Sequence, residues 1–504
     1  MMDRVSDRSE LLVSVRAAFD QAGYTVAGVR DLLGATAGGA LARDEIVPAL
    51  RVTRGGSPLE AFARLFWLQV PVNEAPLREI ADVLVATGLA ERSGDELRAL
   101  LHVEPLESVS GEGHAGHVVS DLKARPGSGV ELKPDHVVGT GGASANLARL
   151  VVHRPVDNAL DLGTGCGVQA VHLADASVRP APGSITATDV NPRALRLARM
   201  SFALSGLEDV ETLEGSLHEP VRDRTFDLIV SNPPFVIGPP DAALVYRESG
   251  LHGDEFCRRL VTGAPALLTE GGTCQLLANW LHIDGVPWEE RVGSWLRETG
   301  CDAWAVQRDV QDPAEYAELW LRDSVETGTP AYTARYDAWL DYFESRRVTG
   351  IGFGWITLRR TSADSTAAAP AAPAVRVEEL RHAVEQPVGA YVGQVLDGLV
   401  DGAKFSTGCG DLPLATTPVV QEQIGPPGAE DPERIVLRQT GRLRRAAGVG
   451  TVEAALAGVC DGTLPLDPLL DAIAQLMALD ADQVRAHAET VLPELIADGF
   501  FELP

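Results

Sequence analysis

"LDLGTGCGVQAVHLA", residues 160–174, decides the fold. An apolar run ends on Asp161 and Leu162. Glycines follow at 163, 165 and 167, and a helical pattern starts at Val168. Strand, glycine turn and helix in that order make a ligand cradle: glycine lets a ligand lie against the backbone, and a helix N-terminus offers free N–H groups. The spacing is Gly-x-Gly-x-Gly, with Asp161 two residues ahead of the first glycine and Thr164 between the first two. A carboxylate there suits an ammonium-bearing ligand better than a pyrophosphate. The competing reading is a tight turn that binds nothing. Cys166, inside the loop, reads as a small packing residue and not as a nucleophile.

Outward from this stretch, strand and helix patterns alternate from 156 to about 323. "SITATD", "VETLEG", "FDLIVS" and "GTCQLLANW" read as short strands, with "PRALRLARMSFALSG" and "GDEFCRRLVTGAPALL" helical between them. Such alternation predicts a doubly wound parallel sheet. Asp189 closes the second strand, 26 residues after Gly163, where an acid can accept hydrogen bonds from both hydroxyls of a ribose. Asn191 is better placed than Asp189 to cap the helix that follows. The fourth strand runs into "VSNPPFVIGPP", 230–240. Proline lacks an N–H and fixes φ, so Pro233 and Pro234 stop the strand and stiffen the loop. That leaves Asn232 positioned to touch a ligand, or else the segment is an ordinary proline-rich turn.

"DLGTGCG", "ATDVN" and "IVSNPPF" in this order resemble the class I S-adenosylmethionine-dependent methyltransferases, in the branch with an N-P-P-[FYW] motif, over about residues 135–325. The resemblance implies an α/β, Rossmann-like domain and S-adenosylmethionine as cofactor. It implies transfer of methyl to a planar nitrogen: adenine N6, guanine N2 of ribosomal RNA, or the side-chain amide of glutamine in release factors and ribosomal protein. By this resemblance, the Asn232 side-chain oxygen and the Pro233 carbonyl each accept one N–H of the acceptor. Phe235 stacks on its plane, and the prolines hold the acceptors rigid. No general base is apparent, and in-line positioning supplies most of the catalysis. Asp161, Gly163, Thr164, Gly165, Gly167, Asp189, Asn191, Asn232, Ser144 and Ser216 are the expected cofactor-binding residues. Ser216, in "EGSLHEP", stands where the family often has an Asp that contacts the adenine amino group. "GTGGASANL", 139–147, is expected to form a lid over the methionine end, with Ser144 a candidate N-cap; a plain glycine-rich connection is the alternative. Tyr246, Arg247 and Glu248 are expected to face the substrate, or to be a surface pair beside a helix cap.

The flanks read differently. Residues 1–105 are helical, ending in a helix, a glycine stop and two short strands around "SGD", which resembles a winged-helix unit. Residues 106–360 form the Rossmann-like domain with an N-terminal strand-and-loop extension. Residues 361–375 read as a low-complexity linker, and 376–504 as a second winged-helix-like domain. The 504 residues are too many for one core. A net charge of −28 opposes non-specific attraction to nucleic acid or anionic membrane. The basic residues are nearly all arginine; lysine occurs only at 123, 133 and 404. Cys166, Cys257, Cys274, Cys301, Cys409 and Cys460 fit no zinc pattern, so no metal is expected. With no signal-like or membrane-spanning run, a cytoplasmic protein is expected. Arg434, Arg438, Arg442, Arg444 and Arg445 could touch RNA or pair with acidic surface elsewhere in the chain. The ranking puts a guanine amino group of RNA first, because of Phe235 and the flanking domains. A protein glutamine or a small molecule is the alternative, and a non-catalytic cofactor-binding module the rival class. The sequence does not define the oligomeric state.

Overall fold

The computed structural model describes residues 2–123, 133–239, 252–321, 328–361, 372–405, 412–427 and 432–504. The chain opens with α1 (Met2–Ala22), α2 (Val26–Leu41), α3 (Val47–Val52) and α4 (Pro58–Phe62), then β1 (Val72–Asn73) and α5 (Ala81–Thr87). Gly88, at φ 75°, stops α5 in the left-handed conformation that glycine adopts without strain. The expected hairpin follows as β2 (Ala90–Ser93) and β3 (Glu96–Ala99), with β1 as a third strand on β3. An antiparallel pair, β4 (His102–Glu107) and β5 (His114–Ser120), lies next along the chain.

The Rossmann-like part begins with α6 (Gly142–Leu150), β6 (Asn158–Leu162), α7 (Val168–Ala174), β7 (Ser184–Asp189), α8 (Pro192–Ser205), β8 (Val210–Glu214) and β9 (Phe226–Ser231). It continues through α9 (Glu255–Gly263), β10 (Leu268–Ile283), α10 (Trp288–Thr299), β11 (Asp302–Gln311), α11 (Pro313–Leu321), α12 (Pro330–Ser345) and β12 (Val348–Arg359) to β13 (Val375–Glu379). The sheet order is β13-β11-β12-β10-β9-β6-β7-β8. β6 pairs in parallel with both β7 and β9, so the chain winds outward from β6 in two directions. Ligands bind outside the carboxyl ends of strands at such a reversal. The buried faces of β6 and β9 carry Ala159, Leu160, Leu228, Ile229 and Val230, as continuous apolar runs in a parallel sheet require.

The chain divides into two compact units. One comprises Met1–Ala148, Arg154–Trp288 and Val310–Gly354; the other Arg149–His153, Glu289–Asp309 and Trp355–Pro504. In the second, β13 pairs in parallel with β11. The expected linker thus ends in a strand at Val375, while its residues 362–371 lie outside the described ones. The rest of that unit is α13 (Gly389–Phe405), β14 (Pro413–Thr416), β15 (Val419–Ile424), β16 (Arg434–Gln439), β17 (Ala446–Val449), α14 (Thr451–Val459), β18 (Asp461–Pro465), α15 (Leu466–Met477), α16 (Ala481–Ala497) and β19 (Phe501–Glu502). Its core joins Leu456, Leu470, Leu492, Phe500 and Phe501. Among the described residues no helix is long and apolar enough to cross a membrane.

Candidate functional site

The reversal at β6 places three segments side by side: the glycine loop after β6, Asp189 at the end of β7, and Asn232–Phe235 after β9. They wall a cavity of about 520 Å³. Gly163, Gly165 and Gly167 have φ of 76°, 55° and 87°. A Cβ at Gly167 would stand 2.6 Å from the Phe202 ring, so only glycine lets α7 start this close to α8. At Gly163 and Gly165 a Cβ would meet nothing within 4 Å, and both residues line the cavity. The loop is tied to β7: the Gly163 and Thr164 N–H groups donate to the Thr188 carbonyl at 2.9 and 2.8 Å, and the Gly165 N–H donates to Asp189 Oδ2 at 2.9 Å.

The two acids of the motif differ in role. Asp189 lines the cavity. Burial pushes its carboxyl up, against the Asn191 and Gly165 N–H groups that favour the charge. Each of its oxygens takes one backbone N–H, and a carboxylate has lone pairs left for hydroxyl donors. Asp161 is fully buried beneath the loop and is not on the cavity wall. Its Oδ2 accepts from Thr164 Oγ1 at 2.6 Å and from the Ala170 N–H at 3.1 Å, while its Oδ1 has no partner among the described residues. Burial pushes this carboxyl up to about 7. Asn191 caps α8, its Oδ1 accepting from the Arg193 N–H at 2.9 Å, as the sequence predicts. Its Nδ2 donates to the Asp135 carbonyl at 3.0 Å. Ser216 also lines the cavity.

The glycine-rich segment before β6 is a strap along the cavity, contributing His136, Val137, Val138, Gly139, Gly141, Ala143 and Ser144 to its wall. Two carboxylates anchor it. Asp121 Oδ2 accepts from the Val137 N–H at 2.9 Å, and Asp121 also pairs with Arg193. Glu104 Oε1 accepts from the Thr140 N–H at 2.7 Å and from the Thr140 hydroxyl. Its Oε2 meets His102 Nε2 at 3.1 Å and Lys123 Nζ at 2.9 Å. Burial pushes Glu104 up, but His102, Lys123 and Thr140 together hold it well below the usual carboxylate range. Ser144 departs from the expectation of an N-cap. The helix starts at Gly142, so Ser144 lies inside its first turn, and its hydroxyl accepts from Asn232 Nδ2 at 3.2 Å.

Asn232, Pro233, Pro234 and Phe235 all line the cavity. Just ahead of them, Ser231 Oγ donates to the Leu162 carbonyl at 2.7 Å, fastening the end of β9 to β6. Beyond them, the Ile237 N–H donates to Tyr316 Oη at 2.9 Å, and Asn279 Nδ2 donates to the same oxygen at 3.1 Å. Tyr316 belongs to a buried cluster with Ile237, Leu281, Tyr342, Phe343 and Ile351. The loop is thus held rigidly at both ends. Tyr246, Arg247 and Glu248 lie outside the described residues.

The Methyltransferase small domain family matches residues 141–282, and a Domain of unknown function (DUF7059) matches 21–100. A release factor glutamine methyltransferase of Deinococcus radiodurans is 33% identical over 281 residues, covering 50% of this chain and 95% of that protein. The chain belongs to the S-adenosylmethionine-dependent methyltransferases of class I. A second release factor glutamine methyltransferase, of Geobacter sulfurreducens, is 34% identical over 163 residues, and the chain spans 52% of its length. A ribosomal protein uL3 glutamine methyltransferase of Bradyrhizobium diazoefficiens is 32% identical over 157 residues, 28% of this chain and 46% of that protein. A solved methyltransferase structure from Pyrococcus furiosus covers 48% of this chain and 90% of that one, at 16% identity and a TM-score of 0.26.

The residues present fit the methyltransferase cofactor. The open space over Gly163 and Gly165 is a cradle that side chains would fill, and Asp189 offers acceptor capacity on the wall. Cys166 is buried and its thiol is pushed up to about 12, as suits a packing residue. The other described cysteines are also buried; Cys409 lies outside the described residues. Sequence reading missed Glu104, Asp121 and Tyr316. Tyr316 acts 79 residues away from Ile237, with no motif to mark the pair.

Proposed function

We propose that this methyltransferase acts on the side-chain amide nitrogen of a protein glutamine, in a release factor or a ribosomal protein. The observation that carries the reading is Asn232. Its Nδ2 is engaged by Ser144, so Oδ1 is the acceptor it offers on the cavity wall. A primary amide has two N–H groups to be held. Asn232 Oδ1 takes one, the Pro233 carbonyl the other, and Phe235 packs on the amide plane. Both acceptors stabilise the positive charge that develops on nitrogen during transfer, and their rigid support makes the stabilisation preorganised. The nitrogen then gives up one N–H proton to solvent. Asp189 holds the ribose, the glycine loop the methionine end and Ser216 the adenine edge. Bound S-adenosylmethionine supplies an electrophilic methyl group on its sulfonium sulfur. The relatives named above act, by their names, on glutamine in proteins, which favours this acceptor over guanine in RNA.

Three of the five arginines that the RNA reading would use are paired within the chain: Arg438 with Glu422, Arg442 with Glu502 and Arg445 with Glu378. Residues 1–105 and 376–504, with their helices and three-stranded sheets, would act as winged-helix-like selectors of the acceptor. A translation protein as acceptor places the reaction in the cytoplasm. The test incubates the purified chain with methyl-labelled S-adenosylmethionine and either purified release factor or ribosomal protein uL3. Label should resist RNase, yield to protease and map to a glutamine side chain. Label released by RNase, or found only in small molecules, would overturn the reading.

A further inference from the structure

Asn232 helps only if its amide presents oxygen, not NH2, to the acceptor. A side chain on a loop turns about its own bonds, and a hydrogen bond from its amide to a fixed partner holds it at one setting. We infer that Ser144 is the positioning residue that holds the Asn232 side chain in place on the cavity wall for methyl transfer, an inference resting on the Asn232 reading above. Ser144 Oγ lies 3.2 Å from Asn232 Nδ2 and is the acceptor of that N–H. Ser144 is only 6% exposed, so water competes poorly for the bond. It is also fixed from behind: Gln169 Nε2, on α7, donates to the Ser144 carbonyl at 2.9 Å, and Gln169 is itself buried. The first turn of α6 is therefore locked against the helix that begins at the glycine loop. A chain of two hydrogen bonds, Gln169 to Ser144 and Asn232 to Ser144, links the cofactor side of the cavity to the acceptor loop. The strap that borders the cofactor thereby fixes the place of a side chain 88 residues along the chain.

This role separates binding from turnover. Measured at saturating S-adenosylmethionine, Ser144→Ala should leave the KM for release factor within about twofold of wild type and lower kcat about tenfold, the effect of losing one positioning hydrogen bond. Alanine is the best helix former, so the first turn of α6 should persist. Ser144→Thr keeps the hydroxyl and should restore most of kcat. A structural role would instead move KM, affinity and melting temperature together. The decisive measurement is a double-mutant cycle with release factor and labelled S-adenosylmethionine. Ser144→Ala should cost nothing further on the Asn232→Ala background. If it lowers the residual rate there by the same factor as in wild type, or if it leaves wild-type kcat unchanged while Asn232→Ala is crippled, the inference falls. If Asn232→Ala itself keeps wild-type kcat, the Asn232 reading falls first, and the two failures are told apart.

Discussion

Asp189 and Asp161 stand 28 residues apart and do different work. Asp189 on the cavity wall is expected to bind the ribose, and it also holds the Gly165 N–H. Asp189→Ala should weaken S-adenosylmethionine binding on the order of 10- to 100-fold, about 1–3 kcal/mol; titration calorimetry showing wild-type affinity in a folded variant would remove the assignment. Asp161 is a stability group. Its folded carboxyl titrates at about 7 because of burial, whereas an unfolded Asp titrates near ~4. Between those values the folded state binds more protons than the unfolded one, so stability falls as pH rises across that window and is level above it. Asp161→Asn removes this decline. The variant should gain on wild type from pH ~4 to ~7, by on the order of 4 kcal/mol in all, read from denaturant midpoints without cofactor. A parallel pH profile in both proteins would refute it. The glycines, Asp189, Asn191 and Asn232 were legible because each sits within a local strand–turn–helix pattern. The position of Asp161 was not. Sequence places it at a strand end, but whether that end opens onto the cavity depends on how the loop folds back over it.

At the scale of elements, the strap is the part whose function depends on distant anchors. Its glycines were readable; Glu104 and Asp121, which hold it, lie on or just after a hairpin that sequence marks only as short strands. Ser144 shows the same limit: a serine at a helix start reads as a cap, and only the approach of the β9 loop reveals its partner. Glu104→Gln keeps an oxygen for Thr140 but leaves Lys123 without its buried counter-charge. Lys123 is 38% exposed and regains water, so the loss costs on the order of 1 kcal/mol, and cofactor affinity should drop severalfold as the strap loosens. In wild type the depressed Glu104 carboxyl contributes stability above its unfolded value. That contribution is lost as pH falls below ~4 toward the folded one, so the difference between wild type and Glu104→Gln should shrink in acid. A melting temperature within a degree or so of wild type at neutral pH, with unchanged affinity, would show that the strap stands without this anchor.

At the scale of the whole molecule, the −28 charge hides where the arginines go. Sequence offered two readings of the Arg434–Arg445 run, RNA contact or internal pairing. It could not choose, because the partners lie far away: Glu378 is 67 residues from Arg445. Folding turns the run into β16, a turn and β17. Arg445 then grips Glu378 with Nη1 at 2.7 Å and Nη2 at 2.5 Å, and reaches Asp498 at 3.3 Å. Arg376 pairs with Asp498 from the other side, and the Trp304 indole donates to Glu378 Oε1 at 2.6 Å. Both Arg445 and Glu378 are mostly buried, with side-chain exposures of 10% and 15%. Removing one partner of such a pair strands the other charge, at a cost of about 3–5 kcal/mol. Arg445→Ala should therefore lower the melting temperature of the second unit. Adding Glu378→Gln, which removes the stranded charge and keeps an acceptor for Trp304, should recover part of the loss. Changing Arg442, Arg444 and Arg445 together to alanine should destabilise the chain without altering how acceptor binding responds to salt. Phosphate contacts would instead give a slope of ~0.7 log units per contact for a single strand, and the triple change would flatten it. Scanning calorimetry of the three variants beside wild type, with acceptor binding measured across a decade of salt, separates the cases. An unshifted melting temperature for Arg445→Ala together with a flattened salt slope would mean that these arginines face a ligand and not their own chain.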